Sequence, residues 1–317
     1  MNSELIVSAP PHIKSHETIG KLMGWTFLAL LPVVLLDIYL FGGHAIRTIS
    51  LSMIAAVLTE AAILMYRRMP VTVIDGSAAL TGLILALTLP PKVPYWIPLV
   101  GGFLAITFGK QLFGGLGYNI FNPALVGRAM LFVSWPEILS NSWFAPLKEL
   151  DAITSATPLM ALREISAGNL IADISVVYKP LLFLNRGGCL GEISALLLIL
   201  GGIILVSRKV IDWRIPVSFI GTVIFLSFFA RTNILITLLG GGLLLGAFFL
   251  ATDPVTSPVT RKGRVVYGIG CGLATMLIRL YSGYVEGVMF AILFMNSFVS
   301  LIDRYTLPKK YGLVKAK

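Results

Sequence analysis

The sequence predicts an all-α integral membrane protein of about ten transmembrane helices, set out as two repeats of five that run in opposite senses. Three observations carry that expectation. Of the 317 residues, 56% are hydrophobic and only 13% charged, and the mean hydropathy is +0.88, far from the balance of a water-soluble domain. Apolar runs that reach or approach the ~20 residues needed to cross a hydrocarbon layer recur along the whole chain. The cations behind the net charge of +10 stand at the ends of those runs. They do not form a stripe interleaved with aromatics, so they read as topology signals and not as a nucleic-acid surface.

Residues 1–21 are polar and read as a cytoplasmic segment. The run Leu22–Phe41 is too long for the core of a cleaved signal and reads as a retained first span. With Ile46–Tyr66, Ala78–Leu89, Tyr95–Phe108 and Ile120–Val133 it completes a first membrane repeat, 22–133. A polar interval, 134–189, follows. The second repeat, 190–302, holds Leu190–Val206, Ile215–Ala230, Ile234–Ala251, Val265–Tyr281 and Val285–Ile302, and 303–317 is a second cytoplasmic tail.

An odd number of spans per half inverts the second half relative to the first. Short spans broken by Gly or Pro in both halves point to discontinuous helices around a central site. Asn122-Pro123 follows Gly114-Gly115-Leu116-Gly117, and Asp253-Pro254 follows Gly240-Gly241-Gly242. With the N-terminus in the cytoplasm, the inner segments carry Lys14, Lys21, Arg67, Arg68, Lys110, Arg208, Lys209, Arg214 and the cations from Arg261 onward, except Arg279. The short outer loops keep Arg47, Lys92, Arg231 and Arg279. That asymmetry puts the 134–189 interval on the outer face.

Within this interval lies Asp151-Ala152-Ile153-Thr154-Ser155-Ala156-Thr157-Pro158. It offers hydroxyls with no His or Lys near in sequence to activate them as nucleophiles. Two readings remain: Thr157 caps a helix that starts at Pro158, or another enzyme modifies its hydroxyl. The stretch resembles the flavinylation motif of the membrane subunits of the Rnf and Nqr respiratory complexes. There the last Thr carries FMN through a phosphodiester bond made by a dedicated flavin transferase. Thr157 matches the acceptor, Asp151, Thr154, Ser155 and Ala156 match its frame, and Ser155 replaces the more usual Gly.

The resemblance spans nearly the whole chain. Asp75-Gly76-Ser77-Ala78, Leu89-Pro90-Pro91, Tyr118-Asn119-Ile120-Phe121-Asn122-Pro123-Ala124 and Ala251-Thr252-Asp253-Pro254 are similar to the family of the Rnf D subunit and the Nqr B subunit, and length favours the D side. The resemblance implies a urea-transporter-like fold of two inverted five-helix repeats. It further implies an electron-transfer subunit of an ion-translocating ferredoxin:NAD oxidoreductase in the bacterial cytoplasmic membrane, beside other membrane and peripheral subunits. Covalent FMN on Thr157 would lie outside. The family also allows a second, noncovalent flavin (riboflavin) between the helix halves, with Asn122 and Asp253 lining that region.

A small-solute channel on the same fold is the rival reading, and it gives Thr157 no use. A lone Asn122-Pro123-Ala124 lacks the second such triplet that a water channel needs. Gly268-Ile269-Gly270-Cys271-Gly272 follows no strand and reads as close helix packing, not a dinucleotide turn. Cys189 and Cys271 have no partners at metal-ligand spacing and read as buried thiols. Among intramembrane acids, Asp37 and Glu286 lie near span ends, where an interfacial role competes with a functional one. Glu60 lies deeper and would relay a cation or pair with a base on a neighbouring span.

Overall fold

A computed structural model of the chain describes residues 18–70, 73–142, 188–282 and 287–308. Among them there is no strand, and the predicted apolar segments are helices, generally shorter than the hydrophobic runs suggest. In the first half these are α1 (Ile19–Phe41), α2 (Gly43–Tyr66), α3 (Ser77–Leu87), α4 (Trp96–Gly109), α5 (Pro123–Ser134) and a short α6 (Pro136–Asn141). In the second they are α7 (Ala195–Ser207), α8 (Arg214–Phe229), α9 (Ile234–Leu239), α10 (Leu243–Leu245), α11 (Arg261–Tyr281), α12 (Val288–Ser297) and α13 (Val299–Thr306).

Four segments are long and apolar enough to span a membrane: Ile19–Phe41, Gly43–Tyr66, Trp96–Phe113 and Arg261–Tyr281. A fifth arises if α12 and α13, bent by 53°, count as one. Helices α3, α5, α7 and α8 are apolar but short. This fits a multi-pass membrane protein, with fewer full-length spans among the described residues than the ten expected.

Local sequence explains where the helices begin. Thr18 caps α1 by accepting the Lys21 N–H, and Asp75 Oδ1 accepts both the Ser77 N–H (2.8 Å) and its hydroxyl (2.6 Å) as α3 opens. Asn122 caps α5 with Pro123 in the first turn, as Pro's missing N–H allows.

The long helices are one-sided. On α1 the buried stripe Leu30, Val33, Asp37 and Phe41 opposes exposed Leu28, Leu31 and Leu35, an outer face of the kind lipid covers. Helix α3 differs, being buried on almost every side, and so is Leu243–Leu250, apart from the partly covered Phe248. One short, wholly interior helical piece thus comes from each half.

The predicted span Ile234–Ala251 is broken. Gly241 and Gly242 adopt φ of 63° and 65°, a region L-residues avoid. After α10 the chain passes through a π turn, Gly246–Leu250, where the Ala251 N–H reaches back to Gly246 O at 2.8 Å.

Helices meet closely where glycines remove side chains. Helix α11 lies on α8, and a Cβ at Gly268 would collide with Ser218 Oγ, while one at Gly272 would stand 2.7 Å from Thr222 Cβ. The run 268–272 therefore serves packing, as its apolar setting suggested. In the first half α2 lies on both α3 and α4. There the Ser52 hydroxyl donates to Gly82 O at 2.7 Å.

Candidate functional site

A cavity of about 70 Å³ lies where the two halves meet, with walls from α1, α3, Lys110, Asn119, Asn122 and 248–255. Asn122 and Asp253, the two residues expected between the helix halves, both line it. The Asn122 amide is fully committed, and Asp253 is held through one carboxyl oxygen. Asn122 Oδ1 accepts from Ala124 N and Leu125 N, and Nδ2 donates across the halves to Leu250 O at 3.2 Å. Asp253 Oδ2 accepts from Thr256 N and from its hydroxyl.

A second link joins the same place to α12. Assigned from its neighbours, the Asn296 amide donates to Tyr267 Oη (2.6 Å) and accepts from Asn122 N (3.1 Å). Asn122 is therefore a joint between α5, the π turn and α12, and its role in shaping the cavity is indirect.

Two further polar groups of the wall come from residues that sequence reasoning did not place there. Asn119 Oδ1 is buried without a hydrogen-bond partner and lines the cavity. Lys110, expected as a cytoplasmic surface charge, is instead 1% exposed and ion-paired with Glu60 Oε1 at 2.6 Å. It also donates to Ser77 Oγ at 2.6 Å, and Gln111 Nε2 adds 3.1 Å to Glu60 Oε1. Glu60 thus does pair with a base from a neighbouring helix end, as its depth suggested. The chain hides a cation where its position at a helix end looked like a topology signal. The Asp75-Gly76-Ser77 motif was the available clue, since Asp75 and Ser77 complete the network.

A second, wider cavity of about 350 Å³ shares Val210, Ile211, Thr252 and Pro254 with the first. Asp212 there holds Arg214 (2.9 Å) and Arg264 (2.6 Å). Burial raises the Asp212 pKa, but the Arg214 N–H and the two guanidinium groups outweigh it and leave the carboxyl below its usual range.

Cys189 and Cys271 are buried, as expected, and are in no disulfide; Cys189 Sγ accepts from Arg128 Nη2 at 3.4 Å. Asp151, Thr154, Ser155, Ala156 and Thr157 lie outside the described residues, as does Glu286.

A sequence model described as the NQR2, RnfD, RnfE family matches residues 6–312. The chain is 43% identical over 316 residues to the D subunit of the proton-translocating ferredoxin:NAD(+) oxidoreductase complex of Clostridium ljungdahlii, covering 96% of each chain. It is 42% identical over 316 residues to the D subunit of the Na(+)-translocating ferredoxin:NAD(+) oxidoreductase complex of Acetobacterium woodii, covering 99% of this chain and 97% of that one. With the D subunit of the ion-translocating oxidoreductase complex of Stutzerimonas stutzeri it shares 40% identity over 328 residues, covering 93% of this chain and 92% of that protein.

Proposed function

The chain belongs to the NQR2, RnfD, RnfE family, and from that premise we propose that it is the flavin-bearing membrane subunit of an Rnf-type complex. In this reading it carries covalent FMN on Thr157 and passes electrons in a ferredoxin:NAD oxidoreductase that moves Na⁺ or H⁺. The observation that carries the reading is Asp151 to Thr157 in a chain whose relatives are named as D subunits of such complexes. Asp151, Thr154, Ser155 and Ala156 present the acceptor to the flavin transferase, and the other complex subunits supply ferredoxin and NAD chemistry.

The two interior pieces, α3 and Leu243–Leu250, support an inverted repeat. Each is followed by a Thr-x-Pro, Thr88-Leu89-Pro90 and Thr252-Asp253-Pro254, so Asp253-Pro254 pairs with Leu89-Pro90 and not with Asn122-Pro123. Helix α2 against α4 has its counterpart in α8 against α11. We take the full arrangement to be two five-helix repeats of the urea-transporter type in the bacterial cytoplasmic membrane. The termini are then inside and the 134–189 interval outside, following the cation asymmetry.

The cavity between the halves fits the polar edge of a second, noncovalent flavin. Asn119 Oδ1 provides an unused acceptor for a ring N–H, and the Lys110 ammonium keeps one N–H beyond those given to Glu60 and Ser77. At about 70 Å³ the space holds roughly five waters, so it takes the edge of the rings while the remainder must lie beyond the present walls. Bound there, a flavin would supply one- and two-electron carriage; the chain's own residues bind that edge and exclude water.

In-gel fluorescence of the denatured chain, with intact mass, tests the covalent assignment. Thr157→Ala should abolish denaturation-resistant flavin while the protein still inserts in the membrane. Covalent flavin persisting in that variant would overturn it.

A further inference from the structure

Asp37 stands on the buried stripe of α1 between Val33 and Phe41 and is itself 0% exposed. Neither carboxyl oxygen meets a hydrogen-bond donor. An interfacial role, in which a carboxylate near a helix end reaches water, is excluded by that burial.

The elements packed against α1 are α2, α3, α7, 73–75 and 190–192. Their charged and titratable groups are His44, Arg47, Glu60 and the exposed Tyr66 on α2, Asp75 and Glu192, with Lys21 and the exposed Tyr39 on α1 itself. None of them bonds to Asp37. Arg47 donates through Nη2 to Val93 O at 2.9 Å and leaves its buried Nε unpartnered, Glu60 holds Lys110, Asp75 caps α3, Glu192 and Lys21 are engaged elsewhere, and His44 is exposed.

A second orphan lies at the same level. Thr48 is also 0% exposed, with its hydroxyl unpartnered. Asp37 and Thr48 are five and six residues from Gly42, which joins α1 to α2. At 1.5 Å per residue both sit about 8 Å below that turn. Their side chains fall on the buried faces of two helices joined at Gly42.

An unpaired carboxylate in such a place is expensive, and ionisable groups inside a membrane protein mark ion pathways by default. The geometry points to Asp37 as a proton-carrying carboxyl of this subunit, with the Thr48 hydroxyl at its depth as a hydrogen-bond partner for the loaded form. A metal cation of the hard, oxygen-liganded kind takes about six oxygens, of which the unpartnered side-chain oxygens of Asp37 and Thr48 supply three, whereas a proton needs one. The carboxylate takes up one proton from one side and releases it toward the other, with no bond to a cofactor. The inference rests on the family reading above but not on Thr157.

The test uses the assembled complex in proteoliposomes. Asp37→Asn should keep covalent flavin fluorescence and ferredoxin-driven NAD reduction, yet lose gradient formation down to the leak level. Asp37→Glu should restore it. A protonated-carboxyl infrared band that shifts in deuterium oxide should be present in the wild type and missing in Asp37→Asn.

Wild-type ion-to-electron stoichiometry in Asp37→Asn would overturn the proposal. So would a carboxyl band that disappears when Na⁺ is added at fixed pH, which would identify a metal ion as cargo. Thr48→Val separates a carrier from a packing defect: it should slow gradient formation with the melting temperature unchanged, and unchanged pumping would remove the Thr48 part. Loss of flavin fluorescence belongs to Thr157→Ala alone, so the two readings fail separately.

Discussion

The Lys110 ammonium stands 2.6 Å from Glu60 Oε1, with side chains 1% and 2% exposed, although the residues are fifty apart and on different helices. Glu60 Oε2 has no donor, so the carboxylate is held through one oxygen, and the pair depends on both charges being present. Removing one leaves the other buried and alone, which costs roughly 3–5 kcal/mol, whereas replacing both by apolar side chains of similar size is often neutral. Lys110→Met should therefore lower thermal stability in detergent sharply, and Glu60→Leu with Lys110→Met should recover most of it. Equal losses in the single and double variants would show that the pair contributes little.

Asn119 and Asn122 should separate binding from architecture. Asn122→Ala removes a cap worth about 1 kcal/mol and strands Leu250 O, a further ~1–3 kcal/mol. It should destabilise the protein as well as reduce any noncovalent flavin. Asn119→Ala removes an oxygen that has no partner in the protein and one local hydrogen bond, Nδ2 to Phe121 O at 3.2 Å, worth about 1 kcal/mol; it should lower the melting temperature less than Asn122→Ala while noncovalent flavin, measured by extraction, falls. Full flavin retention in Asn119→Ala would take that oxygen out of the site.

The apolar segments were legible because burial and lipid exposure impose long hydrophobic runs, and the start of α5 was legible in Asn122-Pro123. The interior of the site was less so. A cation at a helix end looks the same in sequence whether it faces water, like Arg208, or is turned inward, like Lys110. Asn119 and Asn122 are equally polar on paper, and only packing decides that Asn122 is consumed by the joint while Asn119 is not. The glycines at 240–242 announced an interruption, but not that the chain would resume through α10 and a π turn.

Orientation is testable without altering either native thiol, since Cys189 and Cys271 are fully buried. Cysteines at Ser140 and Ser207 fall on exposed positions. The first should react with an impermeant maleimide added to intact cells and the second only after the membrane is opened. Reversed labelling would invert the topology and move 134–189 inside.

Asp212 should give the protein an acid-side sensitivity. Its folded pKa lies below the usual carboxylate value, so the stabilisation is full above that usual value, ~3.9, and is lost as pH falls through the folded one. Unfolding followed from neutral pH downward should show an acid limb that Asp212→Asn flattens. An identical limb in both proteins would assign acid sensitivity to other carboxyls.

The π turn at Gly246–Leu250 holds one residue more than an α-helical turn would. Deleting any one of the five lets the helix close its ordinary ladder and rotates all that follows by about 100°. Thr252 and Asp253 would then leave the cavity wall, and Leu250 would present a different edge to Asn122. The alignment of the two halves is thus kept by an extra residue in the chain's count, and a one-residue deletion there should be more damaging than any single side-chain replacement in the same turn.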